Sequence, residues 1–209
     1  IAIGSVGASN RTAYSQRPPA HTPSKDTLLA FLFTEFTSAY TAVYANPSPL
    51  DAGGYVHFTD AGPIVRSSPV VVGTTNKTGN GVFAVVWSEA VAADVDGGVF
   101  VRWYSAPTWG STLRLSPTVP TEIDGVCINV AASPGGRAFA VWQFDGGIAG
   151  RWFNEDGGIG AERLLATNSF DGGIAPPDAP RVAIQPTSEG SAVVIWRQGG
   201  RLWAALSTP

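Results

Sequence analysis

A regular spacing of aromatic residues at the ends of apolar runs constrains this sequence more than any other feature. The runs end at Phe33, Trp87, Trp142 and Trp196. The intervals between these residues are 54, 55 and 54 positions. A fixed interval of this length indicates a repeated supersecondary unit, because such a unit buries its apolar face only by stacking on a neighbour. The 209 residues are therefore predicted to form four units of a single domain.

Units two to four each begin with a strand, a Gly-containing turn and a second, more apolar strand. In unit three these segments are Val126–Ala131, Ser133–Gly136 and Arg137–Trp142. Such a pattern predicts a β-hairpin. A third strand follows a Gly-Gly pair, as Gly147–Phe153 does in unit three, and a fourth is predicted at Glu162–Ala166. Each unit is therefore predicted to be an antiparallel sheet of up to four strands.

Unit one fits the pattern less closely than the other three. Its second strand is predicted at Leu28–Phe33, its third at Gly54–Phe58 and its fourth at Pro63–Arg66. This alignment leaves Thr34–Gly53 as a long loop. The first strand is expected between residues 8 and 24, in a stretch that contains several prolines and is ambiguous for that reason.

Four-stranded antiparallel units repeated at this interval predict the blades of a β-propeller. The repeats span approximately residues 8–67, 68–118, 124–168 and 179–209, the last together with 1–6. The fourth unit ends at Pro209 without a fourth strand, and the apolar run Ile1–Val6 belongs to no unit. We therefore predict an all-β, four-bladed propeller whose N-terminal strand completes the last blade, because that closure removes exposed sheet edges. A fragment of a larger propeller and an assembly that exchanges strands are the alternatives.

Composition narrows the possible partners and the cellular context. The net charge is −3, and the chain has two lysines and scattered arginines, so it lacks the basic surface that binds nucleic acid. No apolar run reaches the roughly 18 residues of a membrane-spanning helix. The single cysteine, Cys127, excludes an internal disulfide and lies in an apolar strand pattern. The chain begins at Ile1 and contains no Met, as expected of a processed mature protein or of a fragment.

The order of motifs within each unit resembles a known group of repeats. An apolar strand and a Gly turn precede Ala84–Trp87, and further motifs are Asp145–Gly147, Arg151–Phe153 and Leu164–Leu165. This order resembles the propeller repeats of secreted bacterial proteins, such as those of myxobacteria. The resemblance covers Leu28 to Leu206. It implies a propeller fold and a secreted or cell-surface location, and it implies no single activity.

Two recurring motifs have both a structural and a functional interpretation. The repeated tryptophans are predicted to form the core between neighbouring sheets, with sugar stacking as the alternative. The Asp-Gly-Gly motifs offer oxygens that suit Ca²⁺, but their spacing matches no EF-hand or nonapeptide calcium loop. These motifs begin at Asp96, Asp145, Asp156 and Asp171. They are predicted to be turns, because Asp-Gly supplies positive φ, and we therefore predict no metal and no cofactor.

Sequence motifs for catalysis are missing. The two histidines, His21 and His57, lie in unrelated contexts, and no zinc-protease, nucleotide-binding or nucleophile-elbow motif is present. A glycoside hydrolase needs two carboxylates about 5–10 Å apart, and sequence alone cannot pair them. We therefore do not predict an enzyme, and a glycan-active hydrolase or lyase stays open.

Loop length points to a ligand face. The connections between second and third strands are predicted to be short in units three and four and long in units one and two. In a propeller these connections share a face with the segments that cross between blades, and long loops on a rigid scaffold often bind ligands. Tyrosines there would stack on sugars, and carboxylates would accept hydrogen bonds from hydroxyls. The predicted contacts are Glu35, Tyr40, Tyr44, Glu89, Asp94 and Asp124.

These observations support three hypotheses about function. The first is an extracellular or cell-surface binding module that recognises a glycan or a protein on the loop-rich face. The second is a structural, adhesion or filament subunit that forms homo-oligomers by strand exchange, for which the unassigned Ile1–Val6 strand is the supporting feature. The third is the hydrolase or lyase, acting through acidic residues of the same face.

Overall fold

Strands make up every element of the computed structural model. The structure describes residues 11–14, 20–21, 27–35, 38–46, 56–57, 64–66, 70–91, 97–105, 108–117, 128–170, 173–174, 177–185 and 190–209. No helix occurs in these ranges, so none there is long and apolar enough to cross a membrane. The prediction of an all-β chain built from antiparallel sheets is confirmed.

Sheet 1 contains five strands, and it corrects the sequence alignment of unit one. Its strands are β1 (Arg11–Tyr14), β2 (Ala20–His21), β3 (Thr27–Glu35), β4 (Ser38–Asn46) and β5 (Val56–His57). The third strand is β4, which pairs with β3 through a hairpin of two connecting residues, and β5 follows as the fourth. The predicted long loop at Thr34–Gly53 is therefore wrong. Tyr, Thr and Val favour the strand that replaces most of it.

Sheet 2 begins earlier in the chain than predicted. Its strands are β6 (Ile64–Arg66), β7 (Val70–Thr75), β8 (Gly81–Val91), β9 (Gly98–Ser105), β10 (Thr108–Trp109) and β11 (Leu113–Ser116). The prediction that β6 is the fourth strand of unit one is wrong, because β6 pairs with β8. Strands β6 and β7 lie one after the other along β8, whose 11 residues provide length for both.

The strand positions predicted for units three and four agree closely with the structure. Sheet 3 contains β12 (Ile128–Ser133), β13 (Arg137–Phe144), β14 (Gly147–Asn154) and β15 (Arg163–Thr167). A small hairpin of β16 (Ser169–Phe170) and β17 (Gly173–Ile174) follows. Sheet 4 contains β18 (Asp178–Ile184), β19 (Ala192–Gln198) and β20 (Arg201–Ser207). A completing strand at Ile1–Val6 lies outside the described residues and stays a prediction.

Strand register places the repeated aromatic residues at equivalent positions. The residue pairs that face each other between the second and third strands of the four sheets are Phe33 with Tyr40, Trp87 with Phe100, Trp142 with Ala149, and Trp196 with Trp203. Because side chains alternate between the two faces of a strand, this shared register also defines which positions of different sheets correspond. The four aromatic residues at the predicted interval thus hold corresponding positions in the four sheets.

Apolar side chains fill the spaces between successive sheets. Trp142 of sheet 3 belongs to the core shared with sheet 2, and Trp196 of sheet 4 belongs to the core shared with sheet 3. Trp87 and Trp142 are fully buried and Trp196 is 6% exposed, so the prediction of core tryptophans is confirmed. Full burial of a large apolar side chain contributes about 1.5–3 kcal/mol, which makes these positions major sources of stability.

The four sheets follow one another in chain order. Contacts run from β3 to β7, from β7 to β12 and from β12 to β18. These contacts join the inner strands of neighbouring sheets, as propeller blades do. Within the described residues no closed ring is seen, so the closed four-bladed propeller stays a prediction.

Candidate functional site

The apolar core between sheets 3 and 4 opens into a cleft of about 390 Å³, which we call the indole cleft. It lies beside the C-terminal end of β15 and the C-terminal end of β19, next to the turn between β19 and β20. The chain folds this way because the Gly199–Gly200 turn, in which both residues have positive φ, reverses it after Gln198. The lining residues are Leu164, Leu165, Ala166, Thr167, Ser169, Trp196, Gln198 and Trp203.

Gln198 fixes the orientation of both tryptophans in the indole cleft. The indole nitrogen of Trp196 donates to Gln198 Oε1 at 3.3 Å, and the indole nitrogen of Trp203 donates to the Gln198 carbonyl at 3.1 Å. Gln198 Nε2 in turn donates to the Thr167 carbonyl at 2.6 Å, which ties sheet 4 to the end of β15. The polar edges of both rings are thereby satisfied within the protein, and their apolar ring surfaces remain for packing.

The indole cleft can bind without acid–base chemistry. None of its lining residues is a carboxylate, a histidine or a cation. Leu164 at the rim is 60% exposed, Trp203 is half-buried and Trp196 is almost fully buried, so the cleft grades from open to closed. An aromatic surface beside Thr167 and Ser169 hydroxyls suits a ligand with both an apolar face and hydroxyl groups.

A second, polar cleft of about 250 Å³ lies at the opposite end of the sheets. Turns of sheets 2 and 3 form it, and the Lys77 ammonium lies 3.1 Å from Asp156 Oδ2. The Gly158 amide, followed by the Lys77 ammonium, lowers the pKa of Asp156. Both side chains are more than half exposed, so this ion pair contributes little to stability. The lining residues are Asn76, Lys77, Thr78, Gly135, Gly136, Asn154, Glu155 and Asp156.

The described Asp-Gly-Gly motifs form turns, as predicted. Gly157 has a φ of 89°, and Asp156 Oδ1 accepts a hydrogen bond from the Gly158 amide at 3.2 Å. In the motif that begins at Asp145, a Cβ on Gly147 would lie 1.9 Å from the Ala166 carbonyl oxygen, so close strand approach requires glycine. Asp96 and Asp171 lie outside the described residues. No group of three or more His, Cys, Asp or Glu side chains that could hold a metal occurs in the described part of the chain.

The structure places four of the six predicted contact residues in strands. Tyr40 and Tyr44 belong to β4 and pair with Phe33 and Leu29. Strand register also sets Glu35 opposite Arg11 in sheet 1, and it sets Glu89 opposite Arg66 in sheet 2.

Glu35, Tyr40, Tyr44 and Glu89 therefore lie in strands and not in the loops to which the sequence alignment assigned them, and their role as ligand contacts stays a prediction. The two remaining contacts, Asp94 and Asp124, lie outside the described residues. The sequence reasoning missed Gln198 and Trp203 of the indole cleft. A signal was available, because Trp203 occupies the register position where the other sheets have Tyr40, Phe100 and Ala149.

Comparison with known proteins leaves the family open. No protein-family model and no curated protein sequence matches this chain. Among solved structures, a chain from a study of two prolyl endopeptidases matches with a TM-score of 0.28 and 15% sequence identity. The match covers 84% of this chain and 31% of that chain, so this chain spans less than a third of its length. At that TM-score the likeness supports no conclusion about fold or activity.

Proposed function

We propose that this chain is an extracellular or cell-surface binding module, built from four propeller-type blades, that holds a glycan in the indole cleft. The carrying observation is the pair Trp196 and Trp203, which Gln198 orients beside an open cavity of about 390 Å³. Aromatic rings stack on the apolar faces of sugars, and neighbouring hydroxyls and carbonyls take their hydrogen bonds. The proposed ligand is the glycan that the sequence suggested. The proposed site lies between sheets 3 and 4, whereas the sequence placed it on the loops of units one and two.

Preorganisation supports binding at this position. Both indole nitrogens already have partners, so ligand binding does not have to order these side chains first. The cost of ordering flexible side chains is a main reason why surface patches bind weakly. The half-buried Trp203 is the ring that offers surface to a ligand, whereas the nearly buried Trp196 forms the floor.

The test is a glycan array probed with the intact chain, followed by calorimetry on a glycan that binds. We expect Trp203→Ala to weaken binding more than tenfold, which corresponds to about 1.4 kcal/mol, because a central aromatic contact is lost. Trp109→Ala is the matched control, since Trp109 is also half-buried but packs on Tyr104 of sheet 2. Its affinity should equal that of the wild type.

Two results would refute the glycan proposal. One is an array without any bound glycan, combined with a pull-down from native material that finds a protein ligand. The other is a bound glycan whose affinity is unchanged in Trp203→Ala. The hydrolase or lyase hypothesis stays a prediction, because Asp94 and Asp124, two of the four acidic residues predicted on the loop-rich face, lie outside the described residues.

A further inference from the structure

Sheet 4 exposes a large apolar patch on the face turned away from sheet 3. Val193 and Ile195 of β19 are 44% and 46% exposed, and Leu202 and Leu206 of β20 are 77% and 68% exposed. The opposite face of the same sheet is buried at Ala192, Val194 and Trp196. Contiguous exposed apolar residues on a folded sheet mark an interaction surface.

The repeat shows what these positions do in the other sheets. The positions that correspond to Leu202 are Val99 and Ile148, as their pairing with Ser88, Gln143 and Arg197 shows. The positions that correspond to Leu206 are Trp103 and Trp152, which pair with Ala84 and Phe139 as Leu206 pairs with Val193. All four residues in sheets 2 and 3 are at most 6% exposed, because the next sheet covers them. The patch is thus an interface position of the repeat that no sheet in the described part of the chain covers.

The interfaces between sheets 2 and 3 and between sheets 3 and 4 show which residue of the following sheet contacts the residue that corresponds to Leu206. Between sheets 2 and 3, Trp103 contacts Phe153, with ring centroids 5.7 Å apart. Between sheets 3 and 4, the indole nitrogen of Trp152 donates to Ser207 Oγ at 3.1 Å. Phe153 and Ser207 hold the same register position, opposite Ala138 and Ala192.

The first sheet has a residue at that same register position, and no described sheet precedes it. Leu29 corresponds to Ala138 and Ala192, and its partner across the strands is Tyr44. By register, sheet 1 therefore has the position that a preceding sheet would contact, and sheet 4 has the position that a following sheet would contact. We propose that sheet 4 of one chain packs on sheet 1 of a second copy, with Leu206 against Tyr44 of the second copy.

This head-to-tail contact has a defined consequence for assembly. Its two surfaces differ, so it is heterologous and yields either a closed ring or an open filament. Two copies with four blades each would close a ring of eight, the upper end of the usual range. The contact continues the series of sheet-to-sheet interfaces already present within the chain. It does not depend on the indole cleft, so the two proposals can fail separately.

The first experiment measures mass by light scattering after size-exclusion chromatography over a range of concentrations. We expect a dimer or a larger assembly for the wild type, and a monomer for Leu206→Asp, since a charge at a packed apolar contact opposes association. Leu164→Asp is the control, because Leu164 is also an exposed leucine, at 60%, but it lies on sheet 3 outside the apolar patch. It should assemble like the wild type. A wild type that remains monomeric at every concentration would overturn the proposal.

A second experiment separates assembly from closure within one chain. Cys127→Ser provides a background without thiols, since the chain has one cysteine. Chains with Leu206→Cys are mixed with chains carrying Tyr44→Cys and then treated with a bis-maleimide. We expect a crosslink between the chains, because packed sheets lie about 10 Å apart, a distance that the reagent spans and a direct disulfide does not. If the mixed chains do not crosslink while a chain with both changes forms an internal crosslink, sheet 1 of the same chain covers the patch, and the proposal is wrong.

Discussion

At the scale of single residues, glycine marks where one strand comes unusually close to another. A Cβ on Gly98 would lie 2.1 Å from the Ser116 carbonyl oxygen, and a Cβ on Gly147 would lie 1.9 Å from that of Ala166. Both residues begin the third strand of a sheet and meet its fourth strand. The second glycine of the motifs that begin at Asp96 and Asp145 thus allows close strand packing.

Gly147→Ala should therefore be strongly destabilising. We expect a loss of about 3 kcal/mol or more, since both the contact with the Ala166 carbonyl and the φ of 143° oppose a side chain. Gly160→Ala is the control, because its added Cβ would meet only ordinary contacts at 3.5 Å from Trp152. Urea denaturation of both variants gives the comparison. Equal midpoints would show that β15 moves away at little cost.

At the scale of strands, β4 is the element that most changes the sequence interpretation. It carries two predicted ligand contacts, Tyr40 and Tyr44, and it pairs with β3 along its full length. It also pairs with β5 at Ala42 and Val43, so these residues have a neighbouring strand on both sides.

A proline in the middle of β4 distinguishes a strand from a loop. We expect Val43→Pro to lower the unfolding free energy by about 3 kcal/mol or more, because it removes an amide from a central strand. Val43→Thr keeps the amide and a β-branched side chain, so its effect should be much smaller. Thermal unfolding followed by circular dichroism measures both. A proline variant as stable as the threonine variant would contradict the central position of β4.

The same element shows how far sequence reasoning extends for this fold. Strands of units three and four were predicted well, because short Gly-containing turns connect the strands of their hairpins. In unit one the sequence Asp51–Gly54 resembles those turns, so the third strand was predicted at Gly54–Phe58, whereas the structure has it at Ser38–Asn46. The indole cleft could not be predicted, because it depends on how far sheets 3 and 4 stand apart, and periodicity does not report that distance.

At the scale of the whole molecule, burial is unequal along the row of sheets. The second and third strands of sheet 3 are buried on both faces, whereas those of sheet 4 are buried on one face only. In stacked repeats each unit gains stability from its neighbours, so an end unit with one neighbour is less stable.

Hydrogen exchange should detect this difference. We expect amides of β19 and β20 to exchange faster than those of β13 and β14 in the monomeric Leu206→Asp variant, because local opening costs less where fewer contacts are lost. In wild-type samples at assembling concentrations, β19 and β20 should gain protection while β13 and β14 change little. Equal protection of both sheets in the monomer would contradict the gradient.

The placement of β6 and β7 along β8 also says where one repeat stops and the next starts. In sheet 1, β1 and β2 share β3 in the same way. A repeat copied or exchanged as a folded unit therefore begins at Ile64 rather than near residue 68, and a cut at residue 68 would leave Glu89–Val91 without its partner strand. Grafting this sheet onto another protein would therefore require a segment that begins at Ile64 or earlier, several residues upstream of the boundary read from the aromatic interval.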